Sequence, residues 1–169
     1  RLCAVYGVGS PSKFSVIEIG YEDCNVIIDT DQDRFLAKMF AKTRTLEDIN
    51  RYATIMQKVV EAGVNHPELV ATSDGKKVYT NNGITLVLMR FVEGKTFLEL
   101  ERAPNDDELK NVVEQAAKVN SIDYKPPYTF DSWAIPNIKT MFERIKQFTE
   151  PDDLRLVEQA VEQYKHIPI

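Results

Sequence analysis

The hydrophobic repeat of this chain changes once. Before Val92-Glu93-Gly94-Lys95 most apolar residues alternate along short extended runs, with a period of about two; beyond it they recur about every 3.6 residues, the spacing of a helix with one buried stripe. That change limits the chain to an α+β fold: a sheet-bearing part, residues 1–93, followed by a helical part, residues 94–169.

Within the first part, Phe14 to Phe40 is rich in Val, Ile and Phe and is broken at Gly20-Tyr21-Glu22-Asp23 and at Asp29-Thr30-Asp31-Gln32-Asp33, which predicts three antiparallel strands in a meander. One helix interrupts the strands. Ile49, Tyr52, Ala53, Met56, Val59 and Val60 fall on one helical face between Leu46 and Ala62, and Gly63 is the expected stop. Leu69-Val70-Ala71 and Val78-Tyr79 then flank the turn at Ser73-Asp74-Gly75, and Asn82-Gly83 leads into the apolar run Ile84 to Met89. These complete an expected five-stranded antiparallel sheet with one long helix.

The second part reads as at least three helices. Asn105 followed by Glu108 forms a capping signal, so a helix starts near Asp106, with Leu109, Val112, Val113, Ala116 and Ala117 on one face. Ile138, Met141, Phe142, Ile145 and Phe148 repeat the spacing, as do Leu154, Val157, Ala160, Val161 and Tyr164 after Pro151. Trp133 is read as an anchor between helices.

Composition narrows the partner. Acidic and basic residues are interspersed at a net charge of −5, so no basic stripe awaits a nucleic-acid backbone. No apolar run approaches the roughly 18 residues of a membrane span, and no secretory signal opens the chain; a cytoplasmic protein is the expectation. Cys3 and Cys24 lack the spacing of a disulfide framework or zinc site, and His66 and His166 have no ligand partners, so no metal site is expected within the chain. A small molecule is the expected partner. Arg1 stands where an initiator Met would, and Ile167 and Ile169 begin an apolar strand, so the chain is expected to be part of a longer protein.

One residue stands out. In Arg34-Phe35-Leu36-Ala37-Lys38-Met39-Phe40 the two-residue alternation puts Lys38 on the face of Leu36 and Phe40. Taking an ammonium out of water costs several kcal/mol unless an anion compensates, so a bound anion or a carboxylate partner is implied. The alternatives are a solvent-facing strand or a lysine that reaches the sheet edge.

Several short motifs follow one another in a fixed order: Tyr6-Gly7-Val8-Gly9, then Gly20 with Asp23 and Asn25, and Phe35-Leu36-Ala37-Lys38. Glu61-Ala62-Gly63-Val64-Asn65-His66-Pro67 and Phe91-Val92-Glu93-Gly94 complete the series. These motifs and the order of elements resemble the small lobe and hinge of the protein-kinase-like fold, and in particular the aminoglycoside phosphotransferase and choline kinase-like family. The resemblance covers nearly the whole chain, although Asn120 stands where such proteins usually carry a histidine.

The resemblance implies a nucleotide site in which Lys38 meets the α- and β-phosphates of ATP. Gly20 and Asn25 would belong to the turn over the phosphates, Leu36 and Met89 would line the adenine pocket, and Arg90 and Val92 would offer hinge backbone to the adenine edge. Leu36 and Met89 equally suit a core. A helix glutamate orients the lysine in the kinase-like scheme; Tyr52, Ala53 and Met56 occupy the corresponding face here, leaving Glu47 as the nearest substitute. Neither the catalytic His-x-Asp-x-x-x-x-Asn loop nor the later Mg²⁺-holding aspartate of such proteins is in the chain; both are expected after Ile169.

The chain is therefore expected to be the nucleotide-binding part of a small-molecule kinase that moves the γ-phosphate of ATP, with Mg²⁺, to an acceptor hydroxyl such as that of an aminoglycoside, choline or homoserine. By itself it is expected to be inactive, with a helical lobe whose exposed surface favours self-association. The alternative is a non-catalytic kinase-like binding or regulatory module. The residues leave open the acceptor, the choice of ATP or GTP, and the oligomeric state.

Overall fold

A computed structural model describes residues 1–18, 22–127, 131 and 134–164. The chain forms two compact units, Arg1–Pro126 and Pro127–Ile169. The change of hydrophobic period lies inside the first.

That unit is built on an antiparallel sheet of six strands: β1 Pro11–Ile17, β2 Cys24–Thr30, β3 Arg34–Met39, β4 Leu69–Val70, β5 Val78–Asn81 and β6 Ile84–Arg90. Strands β1, β2 and β3 form the expected meander, and β6 follows β3 in the sheet. The count is six rather than five because Leu69–Val70 and Val78–Asn81 both pair with β6, one after the other along its outer side. The bend between them is closed by the buried Thr72: its N–H donates to Lys76 O (2.8 Å), and its Oγ1 accepts from Lys76 N–H (3.0 Å).

Paired residues in an antiparallel sheet share a face, so the register decides what each face carries. Asn25, Lys38 and Val87 form one row, and Ile27, Leu36, Met89 and Leu69 form the next row of the same face. Helix α2, Leu46–Glu61, covers this face, and its Ala53 packs in one cluster with Leu69, Val87 and Met89. The other face carries Ile28, Phe35, Ala37, Leu86 and Leu88, packed against Cys3 and Tyr6 of a short helix α1, Leu2–Tyr6, and against Val8. Five residues are too few to show a helical period, so α1 has no counterpart in the sequence reading. Gly7, in the left-handed region at φ 64°, ends it and turns the chain towards β1.

Strand β6 is buried on both faces, with Val87 and Leu88 fully inside, which is why its sequence is a continuous apolar run. Each such side chain contributes about 1.5–3 kcal/mol of burial.

Helix α2 begins with a capping box: Asp48 N–H donates to Thr45 Oγ1 (3.1 Å), and Thr45 N–H donates back to Asp48 (3.3 Å). Helix α3, Asp106–Asn120, begins with the expected box of Asn105 and Glu108. It is tied to the sheet-bearing part by polar groups: Lys118 Nζ donates to Gly63 O (2.8 Å), and Gln115 Oε1 accepts from Asn65 N–H (2.7 Å).

In the second unit, α4 (Ile138–Ile145) and α5 (Pro151–Tyr164) are in contact and bury Phe142 and Val161. Short 3-10 turns, Ile135–Asn137 and Lys146–Phe148, flank α4. Trp133 and His166 lie outside the described residues.

Candidate functional site

Strand β3 projects Lys38 onto the face that α2 covers, as the alternation required, and its side chain is 21% exposed. Below the ammonium lies the ring of Phe40, with Nζ 5.8 Å from the centroid, near the limit of a cation–π contact. Phe40 in turn meets Tyr52 of α2 edge-on, centroids 5.3 Å apart. The charge is answered from the side: Asp23 Oδ2 lies 2.9 Å from Lys38 Nζ.

Asp23 precedes β2, and its side chain is 5% exposed. Its other oxygen, Oδ1, accepts from Ala41 N–H (3.0 Å) and from Arg44 Nε (3.3 Å), while Arg44 Nη2 reaches Glu22 Oε2 (2.6 Å). Burial works against a charged carboxyl there, but the hydrogen bonds from Lys38 and Ala41 and the charges of Lys38 and Arg44 outweigh it and hold Asp23 below the usual aspartate range. Burial, and then the Asp23 charge, push the Tyr52 phenol up. The Asp23 carboxylate is therefore charged at neutral pH and gripped from three directions.

The remaining expected positions fall as follows. Asn25 stands directly across from Lys38 in the β2–β3 pairing, and Leu36 and Met89 share the next row, Leu36 half-buried and Met89 buried. Four of the residues singled out in the sequence thus share one face. Arg90 pairs with Phe35, so its side chain belongs to the opposite face, where Nη1 meets Asp33 Oδ2 at 2.7 Å. The backbone at the end of β6 is held by two bonds: Arg90 N–H donates to Glu68 O (3.2 Å) and Phe91 N–H to Arg34 O (3.0 Å). Val92 follows, 64% exposed. Arg34 braces the segment, pairing with Asp29 and Glu93 and lying 5.4 Å from the Phe91 ring centroid. Gly20 lies outside the described residues.

Glu47 is exposed in the first turn of α2, and among the described residues no ion pair joins it to Lys38. The carboxylate at the lysine is Asp23, from the β1–β2 connection. The kinase-like scheme puts this carboxylate on the helix, which is why Glu47 is the expectation from the sequence. The hairpin held the missing signal: with Cys24 opposite Met39, the residue before Cys24 falls beside the start of the Phe40-Ala41 turn.

A cleft of about 670 Å³ lies elsewhere in this unit, lined by Val5, Leu46, Asn50, Thr72, Lys76 and Tyr79 among others. No member of the Lys38 cluster lines it. Its charged pair, Lys76 with Asp74 at 2.6 Å, lies exposed in solvent, whereas Lys38 and Asp23 are paired on a largely buried, apolar face. We therefore take the Lys38 face as the candidate site.

Over 90 residues the chain is 27% identical to a homoserine kinase of Bartonella tribocorum, and over 94 residues 27% identical to a homoserine kinase of Rhizobium meliloti. Those stretches cover 53% and 56% of this chain but only 28% and 29% of the two kinases. Among solved structures, the chain resembles an amicoumacin kinase in complex with AMP-PNP and Ca²⁺, with a TM-score of 0.60 and 12% identity over 95% of this chain and 51% of that one. It also resembles a spectinomycin phosphotransferase in complex with ADP and spectinomycin, with a TM-score of 0.55 and 13% identity over 99% of this chain and 57% of that one. At such identities the likeness is one of fold. Residues 13–167 match the phosphotransferase enzyme family, which takes in the sheet, the Lys38 face and most of the helical part; the chain belongs to that family.

Proposed function

We propose that this chain is the nucleotide-binding part of a small-molecule kinase that transfers the γ-phosphate of ATP to an acceptor hydroxyl. The observation that carries the reading is Lys38: a half-buried ammonium on an apolar sheet face, opposite Asn25 and one row from Leu36 and Met89. An apolar floor beside a fixed positive charge suits a planar base joined to a chain of phosphates.

In this reading Lys38 holds the α- and β-phosphates, Asn25 flanks it from β2 and not from the turn, and Gly20 belongs to the turn above them. Leu36 and Met89 pack against the adenine, whose edge meets the backbone at Arg90 and Val92. Brace contacts from Arg34 to Asp29, Glu93 and Phe91 keep that backbone in place. The functional boundary falls at residues 93 and 94, between nucleotide lobe and helical lobe. Bound Mg²⁺ would supply neutralisation of the phosphate charge. Among the described residues no group of three or more His, Cys, Asp or Glu side chains could hold a metal ion, and we assign its ligands, with the catalytic loop, to residues beyond Ile169. The chain alone is then inactive, and its acceptor is a small hydroxyl compound of the kind that homoserine and antibiotic kinases phosphorylate.

No described helix is long and apolar enough to cross a membrane, and we place the protein in the cytoplasm, with the ATP pool. Exposed Leu109, Val112 and Val113 on α3 favour self-association of the isolated chain, which sedimentation at rising concentration measures. Asp23 puts a carboxylate beside Lys38, so the want of one on α2 no longer favours a non-catalytic module.

The test is nucleotide protection. ATP should raise the melting temperature of this chain, and Lys38→Ala should abolish the rise while leaving the chain folded; equal protection of both proteins would sink the reading. ATP-dependent phosphorylation of a hydroxyl acceptor by the purified chain would overturn the claim that it is inactive.

A further inference from the structure

Lys38 needs a fixed partner to be useful: a free lysine side chain carries about 2 kcal/mol of rotamer entropy, and a phosphate that must first order it binds more weakly. The structure gives it one from an unexpected element. Asp23 Oδ2 meets Lys38 Nζ at 2.9 Å, while Oδ1 is held by Ala41 N–H at 3.0 Å and Arg44 Nε at 3.3 Å. One oxygen is anchored to backbone and the other is aimed at the lysine, so the carboxylate cannot swing away without breaking its own support. Helix α2 brings Tyr52 and Phe40's aromatic contact to the same place, and no carboxylate.

We propose that Asp23 is the positioning residue of Lys38 for nucleotide phosphates, and that Arg44, by pairing with both Asp23 and Glu22, fixes these two residues ahead of β2 in the conformation that presents the carboxylate. The proposal rests on the nucleotide reading above and adds a consequence to it. Alignment of the lysine is coupled to the turn that precedes β2 and not to the position of α2. A displacement of α2 alone would leave the pair intact, whereas any change in the Glu22-Asp23 backbone would move the ammonium.

The test compares phosphate-bearing and phosphate-free ligands. Calorimetry measures the affinity of the full chain, and of its Asp23→Asn and Glu47→Gln variants, for ATP and for adenosine. Asn keeps an acceptor oxygen for Ala41 N–H, so that support survives, while both the charge and the acceptor oxygen facing Lys38 are lost and Arg44 keeps only a neutral acceptor there. The expected result is an ATP affinity about tenfold weaker in Asp23→Asn with adenosine affinity unchanged, since a charge-assisted bond that no longer holds the lysine is of that size. A general loss of structure would weaken both ligands and leave their ratio alone. An unchanged ratio in Asp23→Asn, with wild-type ATP binding intact, overturns the proposal while sparing the nucleotide reading; so does a fall in the ratio on Glu47→Gln in its place. If the wild-type chain binds neither ligand, the nucleotide reading fails and the proposal falls with it. Trace acetylation followed by mass spectrometry checks the pairing without nucleotide: Lys38 should label several-fold faster in Asp23→Asn than in wild type, relative to the exposed Lys42, and an unchanged rate would remove the pairing itself.

Discussion

Helices α2 and α3 carry the same local instructions and receive different tertiary treatment. Each starts at a side-chain cap with a reciprocal bond three residues on, each has acidic residues in its first turn and a lysine in its last, and each shows an amphipathic repeat. Yet α2 buries Ile49, Ala53 and Val59, with Ala53 packed on the sheet, whereas no residue of α3 is buried and Leu109, Val112 and Val113 are half or more exposed. What holds α3 is its polar flank, through Gln115, Lys118 and the Arg102–Glu108 pair. Capping and period decide that a segment is helical; they do not decide which of its faces is covered.

Substitutions can break this contrast. The largest effect is expected from Ile49→Ala in α2, about 2–5 kcal/mol of lost stability by urea unfolding, because it empties a site that is 2% exposed. Val112→Ala in α3 should stay within about 0.5 kcal/mol, and a cost near that of Ile49→Ala would show that the apolar face of α3 is covered in solution. Cap removal sharpens the contrast at a smaller scale. Thr45→Ala and Asn105→Ala should each cost their own helix about 1 kcal/mol, but only Thr45→Ala should lower the unfolding midpoint of the unit. Hydrogen exchange should register Asn105→Ala in α3 amides alone.

The smallest effect is a pH dependence. The Arg102 guanidinium, then the Asn105 N–H, hold the Glu108 carboxyl at about 2. A carboxyl depressed in the folded state stabilises fully above its ordinary unfolded value, and that contribution is lost as pH falls through the folded one. Exchange protection at the start of α3 should therefore be flat from neutral pH down to the ordinary glutamate range and decline from there to about pH 2, and Arg102→Gln should move the decline upward. A protection that falls between pH 8 and 6 would contradict this assignment.

The sheet was readable because its strands are bounded by turn residues and because β6 is apolar at consecutive positions. Two errors in that reading have physical causes. Leu69–Val70 is too short to be told from a loop, and α1 is shorter than two helical turns, so neither produces a period. Part of the candidate site was legible as well: Asn25, expected in the turn, stands in β2 through a register that only the structure gives, but Lys38 betrays itself by charge on an apolar face. Its partner was not, since nothing local distinguishes Asp23 from other turn aspartates; only the closing of β2 on β3 buries it and sets Ala41 N–H against it.

By itself the sequence determined the α+β class, the order of elements, the capped helix start at Asn105, and the lysine at which charge and environment conflict. Those properties are written in residues within a few positions of one another. The tertiary structure alone decided that two short strands share the outer side of β6, that α3 is held by its polar flank, and that a turn carboxylate rather than a helix carboxylate answers Lys38. Each of these depends on strand pairing and packing between segments far apart in the chain, where contact is fixed by the shared burial of many side chains and by no single local preference.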